Sequence, residues 1–288
     1  PEQKLIAAGC LTQRYGAEIA PKSVDGLLGT RHWMDIVRVV DVLSKRETTQ
    51  PLLYLPDEHE VKIDHIDVPR IAIQGASAYL KIADGCRRPC AFCAIPLIKG
   101  PAVSRSPEGI LADARLLQDS GVLEINLIAQ DTTDYGTDLG MNDGLATLLE
   151  ELMETVPNIE WFRILYSYPG CITERLIEVI ARYPQIVPYI DMPLQHADPE
   201  VLRAMRRPAN IEWVHRTLEK LRDAVPDVAL RSTFIVGYPN ESEQAFETLL
   251  DFVSDVRFDR VGVFTFSPEV GTESESLGDP IAAQGKEV

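Results

Sequence analysis

The chain is short of positive charge. Its 288 residues carry 28 Lys and Arg against 44 Asp and Glu, a formal charge of −16. Nucleic-acid binding depends on a basic surface that displaces counterions from phosphates, so direct nucleic-acid binding by this chain is not expected. A strongly basic protein is the better-matched partner, although acidity that merely keeps the chain soluble accounts for the number equally well. Long apolar runs are missing too. No stretch of eighteen occurs, which excludes an ordinary membrane-spanning helix, and the N-terminus lacks a signal-peptide pattern. Cysteine is scarce, with five in all. An odd count with three clustered argues against a disulfide framework and points to a reducing, cytoplasmic setting. The chain opens on Pro1 rather than methionine, and a strand-like Lys4–Ala8 follows at once, so the expectation is a fragment whose true start lies upstream.

What is present is a change of pattern along the chain. Residues 1–50 read as the end of a small α/β domain, with strands at Lys4–Ala8 and Val24–Leu28 and helices after Cys10 and from about His32 to Ser44. Residues 51–75, rich in proline and charge, read as a linker. Over 76–288, six apolar runs with strand character alternate with helical periods. The runs are Tyr79–Ala83, Leu123–Ala129, Ile159–Tyr166, Pro188–Met192, Leu230–Val236 and Val261–Phe266. Helices are predicted over Pro107–Gln118, Leu145–Thr155, Thr173–Arg182, Pro199–Met205 continuing into Ile211–Ala224, and Ser242–Val256. Ser106-Pro107-Glu108 supplies an N-cap, a first-turn proline and an acid at the positive end of the helix dipole. Gly121 stands where that helix should stop. This α/β alternation means a parallel sheet covered by helices. Six repeats fit a partial (β/α)6 barrel better than a flat sheet, and barrels carry their functional residues at the C-terminal ends of strands.

Cys86, Cys90 and Cys93 fall in Ile82-Ala-Asp-Gly-Cys-Arg-Arg-Pro-Cys-Ala-Phe-Cys93, directly after the first of those strands. Zinc sites want four closed ligands, or three plus water, mostly from Cys-x-x-Cys pairs and histidines. Here the spacing is Cys-x3-Cys-x2-Cys, with no fourth cysteine or histidine nearby. An iron–sulfur cube is ordinarily held by four thiolates; three leave one iron open to a small molecule. The loop is read as such a centre in preference to zinc or to three merely buried thiols.

This loop resembles that of the radical S-adenosylmethionine superfamily. The resemblance implies a 4Fe–4S cluster whose open iron holds the amino and carboxylate groups of S-adenosylmethionine, and a 5′-deoxyadenosyl radical that takes hydrogen from the substrate. It implies that Phe92 helps seat the adenine, beside the plainer reading of a core aromatic. Ala94-Ile-Pro96, Ser104-Arg105-Ser106-Pro107, Met205-Arg-Arg207, Ile235-Val-Gly237-Tyr-Pro239 and Ser267-Pro268 are similar to the methylthiotransferases over nearly the whole chain. Those enzymes hold a second 4Fe–4S cluster on three N-terminal cysteines. Ala8-Gly-Cys10-Leu-Thr-Gln-Arg14 resembles the third of those motifs, which makes Cys10 a ligand whose two companions lie upstream. A lone buried thiol is the plainer reading of Cys10. The small C-terminal β-barrel domain (TRAM) usual in the family has no counterpart in the sequence.

Ala129-Gln-Asp-Thr-Thr-Asp-Tyr-Gly136, Leu165-Tyr-Ser-Tyr-Pro169 and Asp191-Met-Pro-Leu-Gln-His196 resemble the branch that modifies the β-carbon of an aspartate in ribosomal small-subunit protein twelve. The resemblance implies a reaction consuming two S-adenosylmethionines, one methylating sulfur at the N-terminal cluster and one cleaved at Cys86/Cys90/Cys93, with an electron donor of open identity. Full turnover is expected only from a longer protein. The alternatives are a tRNA adenosine methylthiotransferase and an inert metal-binding module. Gln130 and Asp131 could bond cofactor or substrate or simply cap a loop, and Gly237 could let the backbone approach adenine or form a plain turn. His196 reads equally as a substrate-orienting group or a supporting hydrogen bonder. Arg206 and Arg207 read as a solvated helix end in preference to a contact with cofactor carboxylate or substrate, and Cys171 as a free thiol without a role. Asn240 stands where the family usually has glycine, a change that tolerance of positive φ by asparagine would accommodate.

Overall fold

The computed structural model describes residues 3–19, 24–45, 50–55 and 73–281. Its strands and helices, in chain order, begin with β1 (Ile6–Gly9), α1 (Cys10–Ile19), β2 (Gly26–Gly29), α2 (Ile36–Ser44) and β3 (Leu52–Tyr54). β1, β2 and β3 form one parallel sheet in that order. The segment read as a linker therefore opens with a strand: Leu52 pairs with Gly26, and three residues were too short a run to stand out beside the prolines. Most of the expected linker, residues 56–72, lies outside the described residues.

The larger unit starts with β4 (Ile73–Gln74), β5 (Ser77–Lys81), β6 (Ala83–Asp84), α3 (Ile95–Lys99), β7 (Val103–Ser104) and α4 (Pro107–Asp119). It continues through β8 (Glu124–Ile128), α5 (Gly144–Thr155), β9 (Trp161–Ile164), α6 (Glu174–Arg182) and β10 (Tyr189–Asp191). α7 (Pro199–Ala204), α8 (Ile211–Ala224), β11 (Ala229–Val236), α9 (Glu243–Val256) and β12 (Arg260–Thr265) complete it. β5, β8 and β9 are parallel neighbours, as are β10, β11 and β12. The two triplets join where Phe162 N–H donates to Gln185 O at 2.7 Å and Val187 N–H to Phe162 O at 2.9 Å. The result is six parallel strands in sequence order, with β5 and β12 left unpaired to each other. This is the partial (β/α)6 barrel expected from the alternation of runs.

The helix signals act as read. Ser106 accepts from Gly109 N–H at 3.2 Å as the N-cap of α4, and Gly121, at φ +81°, ends that helix. The strands differ from the reading in one respect. They are not apolar on both faces: on β11, Leu230 and Phe234 are buried against helices, while Arg231, Thr233 and Ile235 face the barrel axis half-buried. An unclosed barrel leaves its axis open, so that face can stay polar, whereas the helix-covered face must be apolar. Asn240 does not have positive φ; its backbone needs no glycine.

The N-terminal unit is fastened to the barrel by a few polar contacts. α1 packs against α3. Arg31 donates to the carbonyls of Ile98 at 3.0 Å and Leu97 at 3.1 Å, capping the C-terminal turn of α3. Arg14 pairs with Glu269 at 3.0 Å, and Tyr15 donates to the same carboxylate at 2.9 Å. Among the described residues no helix is long and apolar enough to cross a membrane.

Arg105 ties the start of α4 to the sheet. Its side chain is 2% exposed and pairs with Asp113 at 2.9 Å, donates to Lys81 O at 2.9 Å and to Gly109 O at 3.3 Å. Removing one member of such a pair strands the other charge. Arg105→Ala is expected to cost about 3–5 kcal/mol of folding stability, read as a lower guanidinium midpoint at unchanged slope.

Candidate metal centre

The loop bearing the three thiols has no regular structure of its own, and its geometry is imposed from outside. β6 delivers the chain to the barrel mouth. Asp84 is buried there, accepting from Lys81 at 3.3 Å, Lys99 at 3.1 Å and Gly85 N–H at 3.2 Å. Gly85 turns the chain at φ +79°, and a Cβ on it would stand 2.1 Å from the carbonyl oxygen of Pro101, so only glycine fits. Cys86 N–H donates to Gly100 O at 3.1 Å, Ala91 N–H to Met205 O at 3.0 Å, and Ser274 N–H to Ala91 O at 2.9 Å. Cys93 N–H closes a turn onto Cys90 O at 3.1 Å.

Two arginines between the first two cysteines anchor the loop to the end of β8. Arg87 pairs with Asp134 at 2.6 Å, and Arg88 Nε with Asp131 at 2.7 Å. Arg88 Nη2 also lies 3.1 Å from Cys171 Sγ. The guanidinium groups of Arg88 and Arg207 both lie over the ring of Tyr168, at 4.3 Å and 4.2 Å. Arg207 further donates to Pro193 O and lies 3.6 Å from Cys90 Sγ. Two cations thus line the same cavity as the thiols, each held by carboxylates, carbonyls or a ring face.

Cys86, Cys90 and Cys93 line a cavity of ≈ 140 Å³ together with Gln130, Tyr168 and Arg207. A second compartment of ≈ 500 Å³ adjoins it, sharing the walls Phe92, Tyr166, Pro193 and Gln195. Burial pushes the Cys86 thiol up to about 11; the Arg88 backbone N–H works against this, while Asp131 and the neighbouring thiols add to it. Burial likewise raises Cys93 and Cys171. Among the described residues no three His, Cys, Asp or Glu side chains converge on a point that could hold one metal ion. Zinc needs such convergence. A cube does not, since each thiolate binds its own iron, and three thiols that line one cavity suit a cluster. An acceptor without a partner completes the fit: Gln130 Oε1 is buried beside the thiols with no hydrogen bond among the described residues.

The other predicted residues divide. Phe92 lines both compartments and packs with Val201, Met205, Tyr238 and Phe266. Asp131 is committed to Arg88 and Thr133 (2.6 Å) and supports the loop. Gly237 lines neither compartment; its N–H donates to Glu241 at 3.0 Å. His196 is wholly buried, accepts from Asp198 N–H through Nδ1 at 2.9 Å, and presents Nε2 to Glu241 at 3.4 Å. It steadies the end of β11 from behind. Cys10 is exposed at the first turn of α1. Arg206 pairs with Glu273 at 2.8 Å on the surface, as a solvated helix end should. Arg207 departs from that reading and turns inward.

Sequence reasoning missed Arg88, Arg207, Tyr166, Tyr168 and Gln195. Tyr166 (φ +62°) and Gln195 (φ +78°) occupy the left-handed region that costs non-glycine residues about 1–3 kcal/mol. Both follow strand ends and line both compartments. The strand-end rule would have found them; nothing local marks the two arginines.

Residues 80–253 match the family described as the Radical SAM superfamily. The chain is 45% identical to the ribosomal protein uS12 methylthiotransferase RimO of Roseiflexus castenholzii over 98% of its length. Against the protein of that name from Herpetosiphon aurantiacus it is 44% identical over 100% of its length and 67% of the relative. It spans 63% of the length of the Roseiflexus castenholzii protein. Among solved structures, the radical S-adenosylmethionine methyltransferase TsrM of Kitasatospora setae, with tryptophan and a cofactor analogue bound, superposes with a TM-score of 0.71 at 12% identity, covering 90% of this chain and 55% of that one. Coproporphyrinogen III oxidase HemN of Escherichia coli gives 0.52 at 18% identity, covering 73% and 49%. At such identities these two speak for the fold alone. A three-thiol loop at the mouth of a six-stranded parallel barrel, with these relatives over its whole length, places the chain in the radical SAM superfamily and, within it, in the RimO-like methylthiotransferase family.

Proposed function

We propose that this chain carries the radical-generating barrel of a methylthiotransferase that modifies the β-carbon of an aspartate in ribosomal protein uS12. The observation that carries the reading is the loop of Cys86, Cys90 and Cys93, which opens on a partly enclosed cavity in a chain 44% identical along its full length to a protein of that name. The charge agrees. A formal −16 suits a basic ribosomal protein better than a nucleic acid. Cysteine usage suits the cytoplasm, where the ribosome is made.

Cys86, Cys90 and Cys93 would hold a 4Fe–4S cluster, which when bound supplies the electron that cleaves S-adenosylmethionine to a hydrogen-abstracting radical. The chain's own residues bind and orient. Gln130 Oε1, buried without a partner, is set to accept from the cofactor's amino group. Phe92 offers a ring wall for the adenine between the two compartments. Gly237, fixed through Glu241, holds the end of β11 in the turn that backs that wall. Arg88 and Arg207 keep positive charge beside the thiols, which favours the thiolates and the added negative charge of a reduced cluster. The wall residues keep water from the radical's path.

Cys10, exposed on the unit formed by residues 1–50, would be one ligand of a second 4Fe–4S cluster, the site of the methylated sulfur. Packing of α1 against α3, the helix that closely follows Cys93, supports that role. The electron donor is a separate reductant.

Anaerobic reconstitution with reductant and S-adenosylmethionine should release 5′-deoxyadenosine; Cys86→Ala, Cys90→Ala or Cys93→Ala should abolish release, and a chain that binds iron yet releases none would be an inert module. Mass spectrometry of uS12 and of tRNA from a deletion strain identifies the substrate: loss of the methylthio group from uS12 is expected, and loss from tRNA alone would refute the assignment. Cys171→Ser should leave iron content unchanged, because that thiol is engaged by Arg88 outside the three-cysteine wall. Iron uptake by the metal-free protein should rise between neutral and alkaline pH, since Cys86 and Cys93 must each lose a proton from a raised pKa; pH-independent uptake followed by absorbance would contradict it.

A further inference from the structure

The compartment next to the thiol cavity is walled by aromatic, aliphatic and neutral polar side chains, with one charged residue among the described ones, Arg231. A single guanidinium in a partly desolvated cavity is a receptor for an anion. We propose that Arg231 is the specificity residue that takes the carboxylate of the substrate's side chain; this rests on the function proposed above.

Three observations carry it. First, the strand alternation puts Arg231, Thr233 and Ile235 on the axis-facing side of β11, in a line that runs up to the mouth. Four of its wall residues also line the thiol cavity, so a group seated on Arg231 lies next to the cofactor site. Second, the pair Arg231–Asp191 is lopsided. Asp191 Oδ1 accepts from Nη1 at 2.7 Å, but the Asp191 side chain is 3% exposed while that of Arg231 is 34% exposed. The carboxylate sits behind and aims the guanidinium. Arginine has five N–H donors, and the bond to Asp191 uses one.

Third, the neighbour of the guanidinium across the sheet is a glycine. Gly262 on β12 lies opposite Thr233, and a Cβ there would stand 3.4 Å from Thr233 Oγ1 and 3.8 Å from Arg231 Nη2. Gly262 is not at positive φ, so the backbone does not require glycine. Glycine inside a strand weakens it and often marks a place where a ligand comes close. Here its missing side chain leaves Nη2 open to a planar acceptor, the geometry in which a guanidinium binds a carboxylate.

The test uses the anaerobically reconstituted protein with S-adenosylmethionine and two probes: a uS12 loop peptide with its aspartate, and the same peptide with asparagine in that place. Wild type should bind the aspartate peptide about ten- to hundredfold more tightly, the worth of one charge-assisted hydrogen-bonded contact. Arg231→Gln should bring the two affinities to within about twofold, and Arg231→Lys should restore part of the preference, since it returns charge without the planar fork. Iron content checks that each variant is folded. Should Arg231→Gln strand Asp191 and fail to fold, Asp191→Asn/Arg231→Met removes both charges together and should erase the preference in the same way. Preference retained by Arg231→Gln or by the double variant, or absent from wild type, overturns the inference. Failure of the proposed reaction is read separately, as no added methylthio mass on the wild-type peptide; a protein that still prefers aspartate then keeps the receptor and loses the reaction.

Discussion

The ion pair between Arg88 and Asp131 is the contact on which the arrangement of the mouth depends. The cysteine loop has no helix or strand to shape it, and eight residues free to wander would scatter three thiols. Arg88 sits between Cys86 and Cys90, and Asp131 stands just past the end of β8, so one bond of 2.7 Å fixes loop to barrel. The carboxylate is buried, which makes the bond strong only while the partner is present. The same guanidinium reaches Cys171 and the face of Tyr168, so the loop, the end of β8 and the loop after β9 hold one another in place.

Around that anchor the mouth separates two requirements. The walls that face helices are apolar and bear the stability of the barrel. The faces toward the axis are polar and half-buried, and they carry charge in pairs: Glu124 with Arg163 at 2.8 Å, Asp191 with Arg231 at 2.7 Å. A closed eight-stranded barrel fills its centre with packed side chains. Six strands leave the axis accessible, and polar residues there cost little because water or a ligand can reach them. Tyr166 and Gln195, at the same place, are held by the surrounding contacts in an unfavourable backbone region.

Much of this was legible beforehand. The barrel followed from the spacing of apolar runs, because a strand buried under a helix must be apolar on that face whatever lies on the other. The helix ends followed from Ser106, Pro107 and Gly121, whose effects are local. Cys86, Cys90 and Cys93 stood out because three thiols in eight residues have few uses. Less legible was β3, a strand of three residues that makes sense only beside β2. His196 lay at a strand end and read as a possible contact with substrate, yet its burial against Glu241 makes it a support.

What the sequence by itself determined is the part of this protein governed by neighbours along the chain: period, caps, turns and the clustering of thiols. Only the tertiary structure decided which charges face the cofactor cavity. Arg206 and Arg207 are adjacent and chemically identical, yet one pairs with Glu273 on the surface and the other stacks on Tyr168 beside Cys90. Arg231 reads as one more strand residue until β12 brings Gly262 opposite its neighbour Thr233. The physical reason is that propensity and hydrophobic period act within a few residues, whereas the direction of a charged side chain is set by partners 14, 40 or more positions away, and those meet only when the barrel has formed.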